Sequence, residues 1–378
     1  MIRKILAAVT ASLMMLVSVN CYALSNGPLD LKIGQTTTES GAYYTNDALY
    51  LELEPVCKLL GYTVTSTDPK AEIRLTNGSE TIRIFPADNI IEANGHSIRV
   101  LDSSAEDTFG AGCMRLGGVL YMRADLLSDL FGLDVREDES ENTVTVLRIL
   151  RNFLTIDTER TNLTEGLLTA AIQYPVLSGP WNPQALETIN GIFQQAADTA
   201  LAQGRQNAKE LENFASVSDS SHNSSLQCST YFDYAVKYNQ NGLLSIVLTN
   251  YQYAGGAHGS TIQTAYTFDL NTGHQLTLSD LMKSGSGYEE FFDEQVRKEI
   301  DKRVKEGSLY EFQDNPFQTL GEHPNFYLSD DGIVFYFQQY EYFPYVAGIQ
   351  EFPISYESIA NLLNPSYSYL YQKQNRIA

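Results

Sequence analysis

The sequence predicts an α+β protein: a tandem domain of small β-α-β-β repeats over residues 27–150, then an α+β domain over residues 155–365 with a mostly antiparallel sheet and two main helices. Three observations lead there. The first third contains a gapless internal repeat, the remainder mixes alternating strand patterns with two separated amphipathic helices, and 43% hydrophobic content over 378 residues suffices for more than one core.

Taken in order, residues 1–23 read as an export signal. Arg3 and Lys4 give a basic start, Ile5 to Val19 an apolar run shorter than the roughly 20 residues of a membrane span, and Cys21-Tyr22-Ala23 a small-x-small cleavage site. A lipid attached at Cys21 is the competing reading, but Ser18-Val19-Asn20 is a poor context for it, so cleavage after Ala23 is preferred. No later run is apolar enough to cross a bilayer, so no membrane span is expected after signal cleavage; a retained signal would be the one anchor.

The repeat follows. LYLELEPVCKLLGYTVTSTDPKAEIRL, Leu49 to Leu75, aligns without gaps on LYMRADLLSDLFGLDVREDESENTVTV, Leu120 to Val146, within units of about 40–78 and 111–148. Each copy opens with a short apolar strand. A helical period comes next, Val56, Leu59 and Leu60 or Leu127, Leu130 and Phe131, and stops at Gly61 or Gly132. Two short strands close each copy: Tyr62 to Thr65 and Glu72 to Leu75 in the first, Leu133 to Arg136 and Thr143 to Leu147 in the second. One such unit is too small to stand alone, so the two are expected to pack together. The acidic run Asp134 to Asn142 lacks the alternating pattern of a calcium loop and reads as a solvated hairpin tip.

Loss of Cys21 leaves Cys57, Cys113 and Cys228, an odd set; a Cys57–Cys113 disulfide is open because both fall in the first domain. Neither CxxC nor a Cys/His ligand spacing occurs, so no metal and no cofactor are expected.

From about Thr155 the pattern changes. Asn162 to Tyr174 is strand-rich, Leu177 to Pro180 is a turn, and Asn182-Pro183 starts a helix whose apolar face, Leu186, Ile189, Phe193, Ala197 and Leu201, runs to about Gly204. Ser216 to Ser225 reads as a mobile loop. Strands alternate through Phe232–Tyr238 and Leu244–Leu248 about an Asn241-Gly242 turn, and again through Thr264–Leu270. Ser279 is expected to cap a short helix. A long one, marked by Tyr288, Phe291, Phe292, Val296, Ile300 and Val304, stops at Gly307, and strands Asn325–Leu328 and Ile333–Phe337 flank a polar turn.

Two sets of motifs carry resemblances. The repeated LY, the LLG/LFG cap and the closing strands, about Ser40 to Arg148, resemble the tandem modules related to the N-terminal domain of copper amine oxidases; those modules carry neither the copper site nor the oxidase chemistry, and the resemblance implies an envelope-associated accessory role. YQYAGGAHG (Tyr251 to Gly259), TFDLNTGHQLTLSDL (Thr267 to Leu281) and YEYFPYVAGIQEF (Tyr340 to Phe352) together resemble the extracellular domain of the anti-sigma factor V family, and the similar non-catalytic module of certain peptidoglycan deacetylases, over about Thr155 to Asn364. In that family the domain binds lysozyme, a basic enzyme. The chain shows neither a sigma-binding segment before the signal nor the deacetylase catalytic domain, so direct sequestration of a sigma factor is not expected.

The formal net charge of −21 excludes nucleic acid as a natural partner and suits a basic protein, or simple solubility. Of five histidines none forms HExxH, and no GxSxG elbow exists, so no catalytic residue is assigned and the chain is expected not to be an enzyme. His258, with Glu341 or Asp269 to orient it, is the best candidate for chemistry; the competing reading has Gly255 and Gly256 supplying a tight connection with His258 hydrogen-bonded inside it. In YEYFPYVAGIQEF, Ile349, Phe352 and Ile354 are expected core and Pro344 a guard on a sheet edge. The candidate binding set is Tyr253, Gly255, Gly256, His258, Glu341, Tyr342, Pro344 and Tyr345, with Glu341, Tyr342 and Tyr345 the exposed members. The expectation is an extracytoplasmic, secreted or envelope-associated binder of a basic protein such as lysozyme, or of peptidoglycan; the alternatives are a wall-polymer hydrolase using His258 and an envelope scaffold without a soluble ligand.

Overall fold

The computed structural model describes residues 27–45, 48–78, 80–100, 108–138, 140–217, 226–372 and 376–377. The expected signal and residues 218–225 of the serine-rich loop lie outside them. Two compact units divide at Arg151 and Asn152.

The N-terminal unit runs β1 (Gly27–Ile33), β2 (Thr36–Thr45), β3 (Ala48–Glu52), α1 (Leu53–Leu59), β4 (Thr63–Asp68), β5 (Glu72–Asn77), β6 (Glu80–Phe85), β7 (Ile90–Ala93), β8 (His96–Arg99), β9 (Thr108–Gly110), β10 (Cys113–Leu116), β11 (Val119–Arg123), α2 (Ala124–Phe131), β12 (Leu133–Asp138) and β13 (Thr143–Ile149). Both repeat copies form the expected strand, helix and hairpin. They meet through their opening strands: β3 and β11 pair antiparallel, with Leu51 opposite Met122. Beyond that the copies diverge. The hairpin β4–β5 continues into a five-stranded meander through β8, whereas β12–β13 joins β1 by a parallel pairing in the sheet β12-β13-β1-β2-β3-β11-β10-β9. Leu31, Leu51, Val56, Ile73, Ile84, Leu127 and Val146 from both sheets and both helices are buried in one core. The acidic hairpin tip folds on itself, the Asp138 carboxylate accepting from Ser140 and from the Glu141 N–H.

The Cys57–Cys113 disulfide is not formed. The two thiols are buried separately, the Cys113 sulfur facing the Ala111 carbonyl at 3.6 Å and the Cys57 thiol pushed up to about 12 by burial and then by Glu54. Each is a small apolar core side chain here, alongside Cys228 in the second unit.

The C-terminal unit begins with β14 (Thr155–Glu165) and β15 (Leu168–Ser178), crosses over through α3 (Pro183–Val217) to β16 (Cys228–Gln240), and continues through β17 (Leu243–Tyr253) and β18 (Ser260–Asp269). These strands form one sheet in the order β14-β15-β16-β17-β18, with β15–β16 parallel and the other pairings antiparallel. Leu186, Ile189, Phe193 and Ala197 of α3 are buried against this sheet. After α4 (Leu278–Leu281) and α5 (Tyr288–Lys305), a three-stranded sheet of β19 (Phe326–Leu328), β20 (Gly332–Phe337) and β21 (Gln350–Ser355) closes a second core with Phe292, Val296 and Ile300 of α5. Val247 packs with Tyr327, Val334 and Tyr336 in a smaller cluster that joins the two sheets. The architecture is α+β with mostly antiparallel sheets, as the sequence predicts.

Three local expectations fail. The helix does not end near Gly204 but continues to Val217, so Ser216 is helical. A Cβ at position 204 would lie 2.0 Å from Thr230 Oγ1, so this glycine lets α3 approach β16 and is no terminator. Thr277, not Ser279, caps α4, in a reciprocal capping box with Asp280. The edge proline is Pro353, inside the edge strand β21; Pro344 instead precedes a 3-10 turn at Tyr345–Ala347.

The approach at Gly204 can be tested against a second helical glycine. Gly191 has nothing within 4 Å of its would-be Cβ. Gly204→Ala should therefore lose about 1–3 kcal/mol by overpacking on Thr230, whereas Gly191→Ala should gain about 0.5–1 kcal/mol of helix propensity. Urea unfolding reads both; the same sign at the two positions would contradict the close helix–sheet packing.

Candidate binding site

Two loops meet at one end of the five-stranded sheet. The first, Ala254 to Gly259, joins β17 to β18 and needs glycine twice: Gly255 and Gly256 have φ of +86° and +105°, in the region side-chain-bearing residues avoid. The Tyr253 hydroxyl donates to the Gly256 carbonyl at 3.0 Å, closing the loop. At its far end Gly259 is buried under the Tyr251 ring, which a Cβ there would meet at 2.3 Å.

The second loop follows β20 and is fixed by an unusual edge. β18 borders the sheet, and its outward backbone groups are satisfied by side chains of the other sheet. Tyr336 Oη accepts from the Ala265 N–H at 2.9 Å, Gln338 Oε1 from Gln263 N–H at 3.1 Å, and Gln339 Oε1 from Thr261 N–H at 3.0 Å. Gln338 Nε2 returns a bond to the Gln263 carbonyl at 2.7 Å. Three side chains thus replace a neighbouring strand and deliver the chain to Tyr340, which turns with φ +66°.

The result is a ring stack drawn from both loops. His258 lies on Tyr345, centroids 3.9 Å apart and planes 22° apart, and its Nε2 is 3.3 Å from the Tyr340 hydroxyl. Nδ1 is 2.9 Å from the Gly259 carbonyl, so Nδ1–H donates there and Nε2 accepts from Tyr340. Tyr340 is 56% exposed and the neighbouring Val346 90%. Behind the stack, Tyr251 packs on Tyr231 at 5.9 Å. The Tyr251 phenol is pushed up by burial first, then by the phenols of Tyr345, Tyr231 and Tyr253, against a bond from the Gly259 N–H.

Of the eight sequence candidates, Tyr253, Gly255, Gly256, His258 and Tyr345 come together, and Pro344 starts the turn that presents Tyr345. Glu341 and Tyr342 face elsewhere, contrary to expectation. The half-buried Glu341 carboxylate accepts from the Gln338 N–H at 2.8 Å, and the Tyr342 ring stands edge-on to Phe337 and Phe317 at 4.8 and 5.6 Å, with its phenol pushed up by burial. Neither expected carboxylate orients His258: Glu341 serves its own turn, and Asp269 accepts from the Asn271 N–H at the far end of β18. Of the expected core positions, Phe352 and Ile354 are buried and Ile349 partly so, while Phe343 joins them unanticipated. Tyr231 and Tyr251 lie outside the candidate set, and Tyr340, which the sequence places on the same tyrosine-bearing edge as Tyr345, joins it. No group of three or more His, Cys, Asp or Glu suited to a metal occurs among the described residues, and none of the described helices is long and apolar enough to cross a membrane.

Comparison with known proteins matches three stretches of the chain. Residues 32–146 match the family model described as copper amine oxidase N-terminal domain, residues 161–261 that described as Deacetylase PdaC, and residues 279–357 that described as Protein of unknown function (DUF3298). His258 falls in the second match and Tyr340 and Tyr345 in the third, so the stack joins both. The chain is similar to the peptidoglycan-N-acetylmuramic acid deacetylase PdaC of Bacillus subtilis, 21% identical over 55% of this chain and 41% of that protein. It is also similar to the anti-sigma-V factor RsiV of the same organism, 28% identical over 51% of this chain and 64% of the relative. The chain thus spans less than two thirds of either relative. A solved DUF3298-family structure from Bacteroides fragilis aligns over 58% of this chain and 97% of its own at 22% identity, with a TM-score of 0.47. The resemblance to the PdaC deacetylase rests on both a family model and a relative, and that to RsiV on the relative.

Glu341 gives a test of this placement. Burial is the first cause of its raised carboxyl pKa, so its native value exceeds its unfolded one. Its favourable contribution is then complete in acid, below the unfolded pKa, and is lost as pH rises through the native value. Glu341→Gln, which keeps an acceptor for Gln338, should raise the unfolding temperature by about 1–2 °C at pH 7 and show no advantage at pH 4. An advantage that grows toward acid would reverse the assignment.

Proposed function

We propose that this chain is an extracytoplasmic, envelope-associated binding protein without catalytic activity of its own, and that its C-terminal unit captures a basic protein of the lysozyme kind. The observation that carries the reading is the exposed His258–Tyr345–Tyr340 stack, drawn from two loops on a chain with a formal net charge of −21. Aromatic side chains with polar tips supply contact area at small entropic cost, and an acidic surface steers a basic partner toward them. The two relatives, an anti-sigma-V factor and a peptidoglycan deacetylase, support the envelope setting. The N-terminal unit, similar to the copper amine oxidase N-terminal domain, serves as an accessory module in this reading.

Calorimetric titration with egg-white lysozyme at low and moderate ionic strength tests it. Binding should weaken as salt rises, and Tyr345→Ala should weaken it about tenfold, as expected for a central aromatic contact. Absence of binding at both salt levels overturns the lysozyme reading. Binding of an N-acetylglucosamine oligomer in its place moves the assignment to a wall glycan.

A further inference from the structure

A groove opens on the α3 side of the five-stranded sheet. α3 lies chiefly along β15 and β16, so the edge strand β18 is left largely uncovered on that side, with Ile262 54% exposed and Thr264 exposed. Toward the gap the helix turns Ala196, Thr199 and Ala200, side chains too short to close it. The groove has a volume of about 330 Å³, at the lower end of the ~300–1,000 Å³ of small-ligand sites, and Phe232 and Leu248 form its buried apolar floor.

Its walls are polar and uncharged. Gln195, Asn250, Thr264 and Tyr266 line them, and no charged side chain does, on a chain whose net charge is −21. Asp198 stands in an adjoining hollow formed by α3 alone. Asn250 Oδ1 accepts from Gln252 Nε2 at 2.8 Å, which leaves its Nδ2 group to donate. The Gln195 carboxamide and the Thr264 and Tyr266 hydroxyls bond to no other described residue, and solvent reaches them: Gln195 and Thr264 are exposed and Tyr266 is half-buried.

That set selects a ligand class. With no cation to pair an anion and no carboxylate to pair a cation, a charged ligand would give up hydration there without compensation. An extended peptide would need backbone partners on the edge strand, but the N–H groups of Thr261, Gln263 and Ala265 are already held by Gln339, Gln338 and Tyr336. A neutral ligand with many hydroxyls and apolar C–H faces meets both halves of the groove. The carboxamides and hydroxyls of the walls exchange hydrogen bonds with its hydroxyl groups, and Phe232, Leu248 and Ile262 receive its C–H face.

We propose that the groove between α3 and β18 is a binding site for a neutral saccharide, read by the Gln195 carboxamide and the Thr264 and Tyr266 hydroxyls. None of His258, Tyr340 and Tyr345 lines it, so the site stands whether or not the stack takes a basic protein.

The probes are cellobiose, maltose and the N-acetylglucosamine disaccharide, with digalacturonic acid as an anionic counterpart, each titrated by ligand-observed NMR. At least one neutral disaccharide should bind with an affinity indifferent to ionic strength, and the anionic one should not bind. Gln195→Ala and Tyr266→Phe should each weaken that binding about fivefold, the value of one net hydrogen bond, while Tyr345→Ala leaves it unchanged; near-ultraviolet circular dichroism confirms the fold of each variant. Failure of all three neutral disaccharides to bind, equal binding of the anionic one, or affinities undiminished in both groove variants overturns the site. Saccharide binding that is lost in Tyr345→Ala and kept in the groove variants overturns it too, and places the saccharide at the stack. Lysozyme binding bears on the stack alone, so the two readings fail separately.

Discussion

The side-chain seal on the edge of β18 is the constraint on which the candidate site depends. An edge strand exposes a row of unpaired backbone groups, and here Tyr336, Gln338 and Gln339 answer three of the N–H groups in turn. Each also lies at or just beyond the end of β20, so the sheet edge and the placement of Tyr340 are one interaction. Without it the 82-residue separation between His258 and Tyr340 would have no fixed spatial meaning. Burial supports the seal: Tyr336 is 2% exposed, and burial drives its phenol well above the ordinary range. It therefore stays a neutral hydroxyl at any physiological pH, able to accept from Ala265.

The hydrophobic layers explain why the loops hold their shape. α3 covers one face of the five-stranded sheet, and the three-stranded sheet approaches the other through Val247, Tyr327, Val334 and Tyr336. Gln252 locks the helix to the sheet close to the first loop. It accepts from Thr230 at 2.8 Å and donates to the Ala200 carbonyl of α3 at 3.0 Å. Arg297 similarly pins α5 to Glu311 by two bonds of 2.8 and 2.9 Å. These partly buried polar ties fix register where apolar packing alone would permit sliding.

Much of this was legible in the sequence because it follows from short-range rules. The repeat, the Asn241-Gly242 turn, the apolar face of α3 from Leu186 to Ala197 and the burial of Phe352 and Ile354 all follow from periodicity and turn chemistry. The failures have physical causes. Gly204 resembles a helix stop unless Thr230 is known to lie beside it. Tyr231 escapes because the turn pairs Gln240 with Leu243, a register that would set Tyr231 opposite Gln252; the irregularity between Val236 and Tyr238 shifts it onto Tyr251. Glu341 and Tyr342 read as exposed because tyrosines with polar tips beside Pro344 suit a contact edge, yet the turn directs one to Gln338 and the other into the aromatic core.

The parallel pairing of β15 with β16 carries a further consequence. Every other junction in that sheet is a local hairpin, but Leu168 meets Cys228 only after the whole of α3 has been laid across the strands. The sheet is therefore two quickly closing blocks, β14–β15 and β16–β18, sewn by one slow non-local seam whose closure carries the loop entropy of everything between. Pulled or heated, the unit has its natural tear line there. The Tyr231–Tyr251 pairing and the glycine loop lie wholly within the second block, so that half of the candidate site can outlast the opening of the sheet that displays it.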